Sequence, residues 1–265
     1  MADNQYGDVS LNLNGYKING LTSLSFGMSQ SMPIVKGVGT KSRRREALVP
    51  GQGSIKYSQY AFFNDPFFAY ATGGQLVSGG IYRNNYSTLF KSGLIDNYSL
   101  SCAVGDFPST SINILTLGDV YTGKPNYYPF GYNAYPNPSI VRPKDIEISG
   151  FSTGNNYPKS FTYSLSIENE LLYYTNKWGV GDYKIRDPIG VTISVTIDSI
   201  DYRTSGFHNY LTEKELKNIN IILNSCNGDK SIYPMVSGVL VNETYSIRVG
   251  GQEEVTLDYE GFINV

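Results

Sequence analysis

Apolar residues along this chain mostly alternate with small polar ones, the period of a half-buried β-strand. Thr22-Ser23-Leu24-Ser25-Phe26 and Tyr163-Ser164-Leu165-Ser166-Ile167 show it. So do Ser54-Ile55-Lys56-Tyr57-Ser58, Thr192-Ile193-Ser194-Val195-Thr196, Ser111-Ile112-Asn113-Ile114 and Glu254-Val255-Thr256-Leu257. Two stretches break the alternation and predict helices. In Glu213 to Asn224, Leu216, Ile219 and Leu223 share one helical face, Thr212 caps, and Glu215 completes a capping box. In Asn64 to Tyr70, Asp65 can cap, Pro66 suits the first helical position, and Gly73 can end the turn.

These segments recur in the same order, which predicts an internal duplication. Leu13-Asn14-Gly15-Tyr16 matches Ile148-Ser149-Gly150-Phe151, and Leu24 matches Leu165, an offset of 165 − 24 = 141. Loops with Gly37-Val38-Gly39 and Gly179-Val180-Gly181 follow, then Arg45-Glu46 with Pro50 and Arg186-Asp187 with Pro188. Tyr57 then matches Val195, an offset of 195 − 57 = 138, so the loops differ by three residues. Tyr98-Ser99-Leu100-Ser101-Cys102 matches Tyr245-Ser246-Ile247-Arg248-Val249, each followed by a glycine turn. Each copy then holds about four or five strands in hairpins, with one helix between them. The predicted units are 8–120 and 145–265. Between them, 121–144 carries Pro125, Pro129, Pro136, Pro138 and Pro143, which forbid a helix or a central strand. Its Tyr127, Tyr128, Phe130, Tyr132 and Tyr135 favour an arm packed on a surface over a solvated linker.

Composition narrows the function. At 265 residues the chain can bury a core without disulfides. Charged residues are 17 % and the formal net charge is −2, which argues against a nucleic-acid reader. The start, MADNQYGDVS, carries no visible secretory signal, and no apolar run approaches the ~20 residues of a membrane span. No membrane partner is expected. Cys102 and Cys226 therefore read as free buried thiols, and the sequons at Asn85, Asn97 and Asn242 carry little weight. One histidine, His208, excludes a multi-histidine metal site and reads as a loop residue. No cofactor or metal is expected.

The closing hairpin from Tyr98 to Ile114, with Val104-Gly105-Asp106 at its turn, resembles the tail tube proteins of long-tailed bacteriophages. Glu243 to Gly251 and Val255 to Phe262 look the same in the second copy. The resemblance is one of pattern over nearly the whole chain. Two copies per chain depart from the commoner single-domain subunit and fit the variant with a duplicated tube domain. The resemblance implies a mainly β chain of two tandem β-sandwich or barrel domains, each with a flanking helix. It implies a virion protein, made in the host bacterial cytoplasm, whose homotrimers form stacked pseudo-hexameric rings. The lumen would hold tape-measure protein and phage DNA, and other tail proteins would be partners. Acidic channel walls are common in the family. A distal-tail, baseplate or neck ring protein of the same fold is the alternative within the class, and a carbohydrate-binding β-sandwich the alternative outside it.

No enzyme site is legible. Glu168, Glu170, Asp198 and Asp201 meet no spacing rule for paired acid–base catalysis and read as strand-face and turn carboxylates. Gly37, Gly39, Gly51 and Gly53 lack the context of a phosphate loop. The sharpest charge cluster is Lys41-Ser42-Arg43-Arg44-Arg45-Glu46, which reads as a solvated hairpin tip or a contact to an acidic partner, with direct nucleic-acid binding the lesser alternative. It lies in the loop Met32–Pro50, and the matching loop Leu171–Pro188 carries Tyr173, Tyr174 and Trp178. Both are too long for tight hairpins and too apolar for disorder. In tail tubes the matching loop reaches the adjacent ring. Arg43, Arg44, Arg45, Tyr173, Tyr174 and Trp178 are therefore the expected contacts between rings.

Overall fold

A computed structural model describes residues 9–29, 34–36, 43–45, 51–83, 86–118, 120–123, 140–150, 158–174, 180–198, 216–225, 227–247 and 253–263. The chain is mainly β, as the alternation predicts. The strands of the first half are Ser10–Leu13 (β1), Tyr16–Lys17 (β2), Leu21–Ser29 (β3), Ile34–Lys36 (β4), Arg43–Arg45 (β5), Gln52–Tyr60 (β6), Val77–Arg83 (β7), Tyr86–Ala103 (β8), Ser109–Thr116 (β9) and Val120–Gly123 (β10). One helix, Pro66–Thr72 (α1), lies between β6 and β7. The second half holds Ile146–Ser149 (β11), Ser160–Ser166 (β12), Asn169–Tyr173 (β13), Val180–Ile185 (β14), Ile189–Asp198 (β15), Lys217–Asn224 (β16), Lys230–Ile247 (β17) and Glu253–Ile263 (β18).

Strand pairing follows the same order in both halves. The first runs β3-β6-β9-β8-β7-β1 and the second β12-β15-β18-β17-β16-β11, every pair antiparallel. The 18-residue strands β8 and β17 hold matching places. The first part of each pairs with the strand before it, and the last part with the strand after it. Gly15 (φ +81°) and Gly150 (φ +95°) end β1 and β11 in the left-handed region that favours glycine.

The ladders refine the sequence match. Tyr57 lies opposite Leu24, whereas Val195 lies opposite Phe161, not Leu165. If Tyr57 and Val195 correspond, Leu24 corresponds to Phe161 and Phe26 to Tyr163, an offset of 163 − 26 = 137. Sliding a period-two pattern by four residues keeps every side chain on its face, so sequence alone admits both registers. The halves also share one hydrogen-bonded sheet, because β12 pairs with the end of β8 from Ser160↔Ala103 to Ser166↔Asn97.

Helix α1 forms as its caps predict. Phe67 N–H donates to Asp65 Oδ1 at 3.0 Å, Pro66 opens the helix, and Gly73 N–H closes it on the Ala69 carbonyl at 2.8 Å. The helix predicted over Glu213 to Asn224 is corrected: Lys217–Asn224 is strand β16, and residues 212–215 lie outside the described set. Ile219, Ile221 and Leu223 are fully buried at every second position, and Leu216, meant to cover the sheet, is exposed. Ile and Asn are weak helix formers, and β11 and β17 supply a ladder on each side. A flanking helix is thus present in the first half only, among the described residues. The segment 121–144 also begins inside the sheet, since Tyr121 to Gly123 pair with β8. At its other end Val141 is buried and donates to the Ala61 carbonyl. The Pro- and Tyr-rich stretch between lies outside the described residues.

Helix α1 sits where the halves meet. Phe68 packs against Tyr98, Tyr163 and Tyr233, with ring centroids 5.5, 6.3 and 4.5 Å away. Tyr98 O–H donates to Asp65 Oδ2 at 3.0 Å, and its oxygen lies 3.4 Å from the Tyr233 hydroxyl. Tyr163 O–H donates to the Pro234 carbonyl at 3.0 Å. Asn64 and Ser231 add a further link, Ser231 O–H donating to Asn64 Oδ1 at 2.9 Å. Burial raises the Asp65 carboxyl from 3.8 to about 6, against the lowering effect of Phe67 N–H and the Tyr98 hydroxyl. Burial likewise raises the Tyr98, Tyr163 and Tyr233 hydroxyls, so all three stay protonated donors.

The fold therefore holds the Asp65 proton more tightly than the unfolded chain does. This contribution to stability is complete below the unfolded value of 3.8 and is lost as pH rises through about 6. The loss at full ionisation is ~3 kcal/mol. Thermal melts across this pH range should show the wild type losing stability relative to Asp65→Asn, which keeps a capping oxygen and cannot ionise. Parallel curves for the two proteins would refute the assignment.

Candidate functional site

One face of the shared sheet carries the core and the other carries hydroxyls. Leu24, Tyr57, Ile112, Tyr98, Leu165 and Val191 lie side by side across β3, β6, β9, β8, β12 and β15 on the core face. One residue away along each strand, the opposite face reads Ser23, Ser58, Ser111, Ser99, Ser164, Thr192 and Glu260, one from each of seven adjacent strands. The next row reads Tyr60, Ser109, Ser101, Thr162, Ser194, Asp258 and Asn242. A shorter one reads Ser160, Thr196, Thr256 and Thr244.

Many of these groups satisfy one another along the face. Ser101 and Ser109 lie 3.3 Å apart, and Thr196 and Thr256 3.0 Å. Ser54 O–H donates to Asn113 Oδ1 at 2.8 Å, Asn113 Nδ2 to Asp96 Oδ2 at 2.9 Å, and Asn242 Nδ2 to Asp258 Oδ2 at 2.9 Å. Burial raises the Asp96 carboxyl despite the Asn113 donor. Charge is sparse and uneven. The second half contributes Asp198, Glu254, Asp258 and Glu260 on β15 and β18, while the first contributes Lys56 on β6 and Asp96 on β8. Lys159 lies 2.6 Å from Asp198 and 3.1 Å from Glu254, which hold its ammonium above the usual range in that order. The face is thus polar, small-grained and, in its second half, lightly acidic. The alternation was read from sequence as a strand signal; the rows appear only when the register joins the strands.

The expected ring-contact residues lie on two separate hairpins. Arg43, Arg44 and Arg45 form β5, paired with Lys36, Val35 and Ile34 of β4. Each long loop therefore contains a two-stranded sheet of its own, the second being β13 with β14. Tyr173 is anchored within the chain, its hydroxyl accepting from Gln52 Nε2 at 2.7 Å. Tyr183 O–H donates to the Gly74 carbonyl at 3.3 Å. The second hairpin thus rests on the first half from its middle, at Tyr183, to its last described pair, Tyr173 with Val180. Tyr174 is half exposed and lies over Gly181, where an added Cβ would overlap its ring. Trp178 lies outside the described residues, as do Asp201, His208 and Cys226. The Cys102 thiol is half-buried and raised by burial first and Asp106 second.

Other candidate chemistry is dispersed. Glu168 pairs with Arg186 at 3.0 Å on the surface and Asp198 with Lys159. Among the described residues no three His, Cys, Asp or Glu side chains are placed to hold a metal ion, and no helix is long and apolar enough to cross a membrane. Five of the tyrosines, Tyr57, Tyr98, Tyr163, Tyr233 and Tyr259, are core residues rather than sugar platforms. No protein-family model matches this chain, and no curated protein matches its sequence.

Gly181→Val should push Tyr174 from its seat and loosen the β13–β14 hairpin while the sheet core stays intact. Limited proteolysis should show faster cleavage within 171–188 at an almost unchanged melting temperature. Unchanged protection would mean that the Tyr174–Gly181 contact does not hold the hairpin.

Proposed function

We propose that this chain is a structural subunit of a bacteriophage tail tube, built from two tandem tube-like domains. Three chains form a pseudo-hexameric ring, rings stack, and the channel houses tape-measure protein and then conducts phage DNA. The observation that carries this reading is the two rows, mostly serine and threonine, that cross from the first half to β15 of the second and end on Glu260, Asp258 and Asn242. A channel wall for DNA must stay hydrated yet offer phosphates no array of cations, because each Lys or Arg contact strengthens binding. Serine and threonine supply water contacts without charge, and the carboxylates of β15 and β18 repel phosphate. The repeated pairing order supports two pseudo-equivalent units per chain. The same fold also suits a distal-tail, baseplate or neck ring, which would occur as one ring per particle rather than many.

In this reading the hairpin tips reach the adjacent ring. Tyr173 positions the second hairpin through Gln52, Tyr174 and Trp178 make the contact, and Arg43, Arg44 and Arg45 meet carboxylates. Rim charges contribute under ~1 kcal/mol each, whereas a buried Trp contributes 2 or more. The purified protein should form hollow tubes or stacked rings in negative-stain electron microscopy. Trp178→Ala should stop elongation while circular dichroism shows a folded subunit, and reversing Arg43, Arg44 and Arg45 to Glu should weaken stacking in a salt-dependent way. Tubes of normal length from Trp178→Ala would refute the role of the second hairpin.

The wall itself is testable by charge. Assembled wild-type tubes should retain no DNA at low salt, whereas tubes with Ser58, Ser111 and Thr192 all changed to Arg should retain it and release it as salt rises. Equal retention by both would remove the argument from the hydroxyl face.

A further inference from the structure

Helix α1 is held at its two ends by different parts of the chain. At its start Asp65 is buried, and its two oxygens accept from Phe67 N–H and from Tyr98 O–H. At its end Gly73 N–H closes on the Ala69 carbonyl, and Gln75 N–H on the Tyr70 carbonyl at 3.1 Å. Gly74 stands between these two at φ +60°, in the left-handed region. There the second hairpin is seated. Tyr183 O–H of β14 donates to the Gly74 carbonyl at 3.3 Å. Ile185 lies so close over Gly74 that an added Cβ would overlap its side chain. One short helix thus joins the seam to the middle of the hairpin.

The rest of the hairpin is lightly held. Strands β13 and β14 form a two-stranded sheet of their own. At one end Asn169 Nδ2 reaches the Ile95 carbonyl at 3.5 Å, and at the other Tyr173 meets Gln52 on the exposed surface. Ile185 is the side chain of this hairpin that packs against the buried core, and it does so beside Gly74.

The groups around Asp65 come from every element packed on α1, and they are aromatic. Tyr98 of β8 donates to the acid, and Tyr233 of β17 lies against Tyr98. Tyr163 of β12 packs on Phe68, Tyr57 of β6 packs on Phe67, and the helix itself adds Tyr70. Among the described residues, no lysine or arginine forms an ion pair with Asp65. Ionisation therefore leaves a carboxylate with two neutral donors in a site closed to water, and burial raises the carboxyl to about 6. Outward movement of the helix start hydrates the carboxylate and relieves this cost. A helix of seven residues is too short to persist in part, so its end at Gly74 moves with its start.

We propose that α1 is a pH-sensitive latch for the β13–β14 hairpin: proton release from Asp65 loosens the helix and, with it, the seat at Gly74. The closed latch keeps the proton and the open latch gives it up to water. The open fraction is lowest below 3.8, rises about tenfold per pH unit up to about 6, and levels off above, on the order of a hundredfold in all. The latch belongs to the single chain; only what the freed hairpin touches rests on the tube reading.

The test is hydrogen exchange in the full chain, wild type against Asp65→Asn at each pH, so that the intrinsic pH dependence of exchange cancels. The wild-type to Asp65→Asn ratio for β13 and β14 should climb with this profile. Gly74→Ala should uncouple the two: hairpin exchange becomes fast and indifferent to Asp65, while the amides of α1 still follow it. If Gly74→Ala does not fold, Tyr183→Phe with Ile185→Ala removes the same seat from the hairpin side. Hairpin exchange that ignores Asp65, or that follows it equally well once the seat is removed, would overturn the latch. Stacked rings seen by electron microscopy alongside such a result would leave the tube reading standing. A chain that shows the latch and never forms rings would keep the latch and overturn the tube reading.

Discussion

The Asp65 carboxyl does two jobs at the seam between the halves. One oxygen takes the first amide of α1 and the other takes the Tyr98 hydroxyl from the long strand β8. The helix is seven residues long, too short to hold itself in water. It exists because its cap is fixed from below and Phe68 fills the space between Tyr98, Tyr163 and Tyr233. Those three tyrosines come from β8, β12 and β17, so one short helix covers strands of both halves. Burial sets the proton affinity of the carboxyl, and the acid in turn sets the orientation of the hydroxyls that meet it.

From this seam the sheet extends in both directions under one constraint. Every strand must show apolar residues to the core and something tolerable to the other side. The second requirement is met with serine and threonine far more than with lysine or glutamate. Small hydroxyls bond to one another or to neighbouring amides, as between Thr196 and Thr256, and leave few long chains standing off the surface. The polar face therefore takes its texture from the same alternation that builds the core.

Much of this was legible in the sequence where the signal is local. Asp65, Pro66 and Gly73 marked α1 because capping chemistry acts within a few residues. The alternation marked the strands, and the repeat of short segments matched the order in which they pair. What failed was a choice between two local patterns. Leu216, Ile219 and Leu223 fit a helix, but Ile219, Ile221 and Leu223 fit a strand equally well, and the neighbouring ladders decided it. The hairpins within the two long loops were hidden because their strands pair only with each other. The hydroxyl rows were hidden because they form only where the register sets strands side by side, and the β8–β12 junction because it joins residues more than fifty positions apart.

The β8–β12 junction also changes what the chain connection between the halves means. Seven residue pairs of continuous ladder hold the halves together before any connecting segment is considered. Covalent connection raises the local concentration of one half near the other in addition to this ladder. Covalent linkage also fixes neighbour identity. A first half always sits beside its own second half, which frees the two to specialise. Their polar surfaces already differ: β15 and β18 carry four carboxylates, whereas β6 and β9 carry serines beside Lys56 and Asn113.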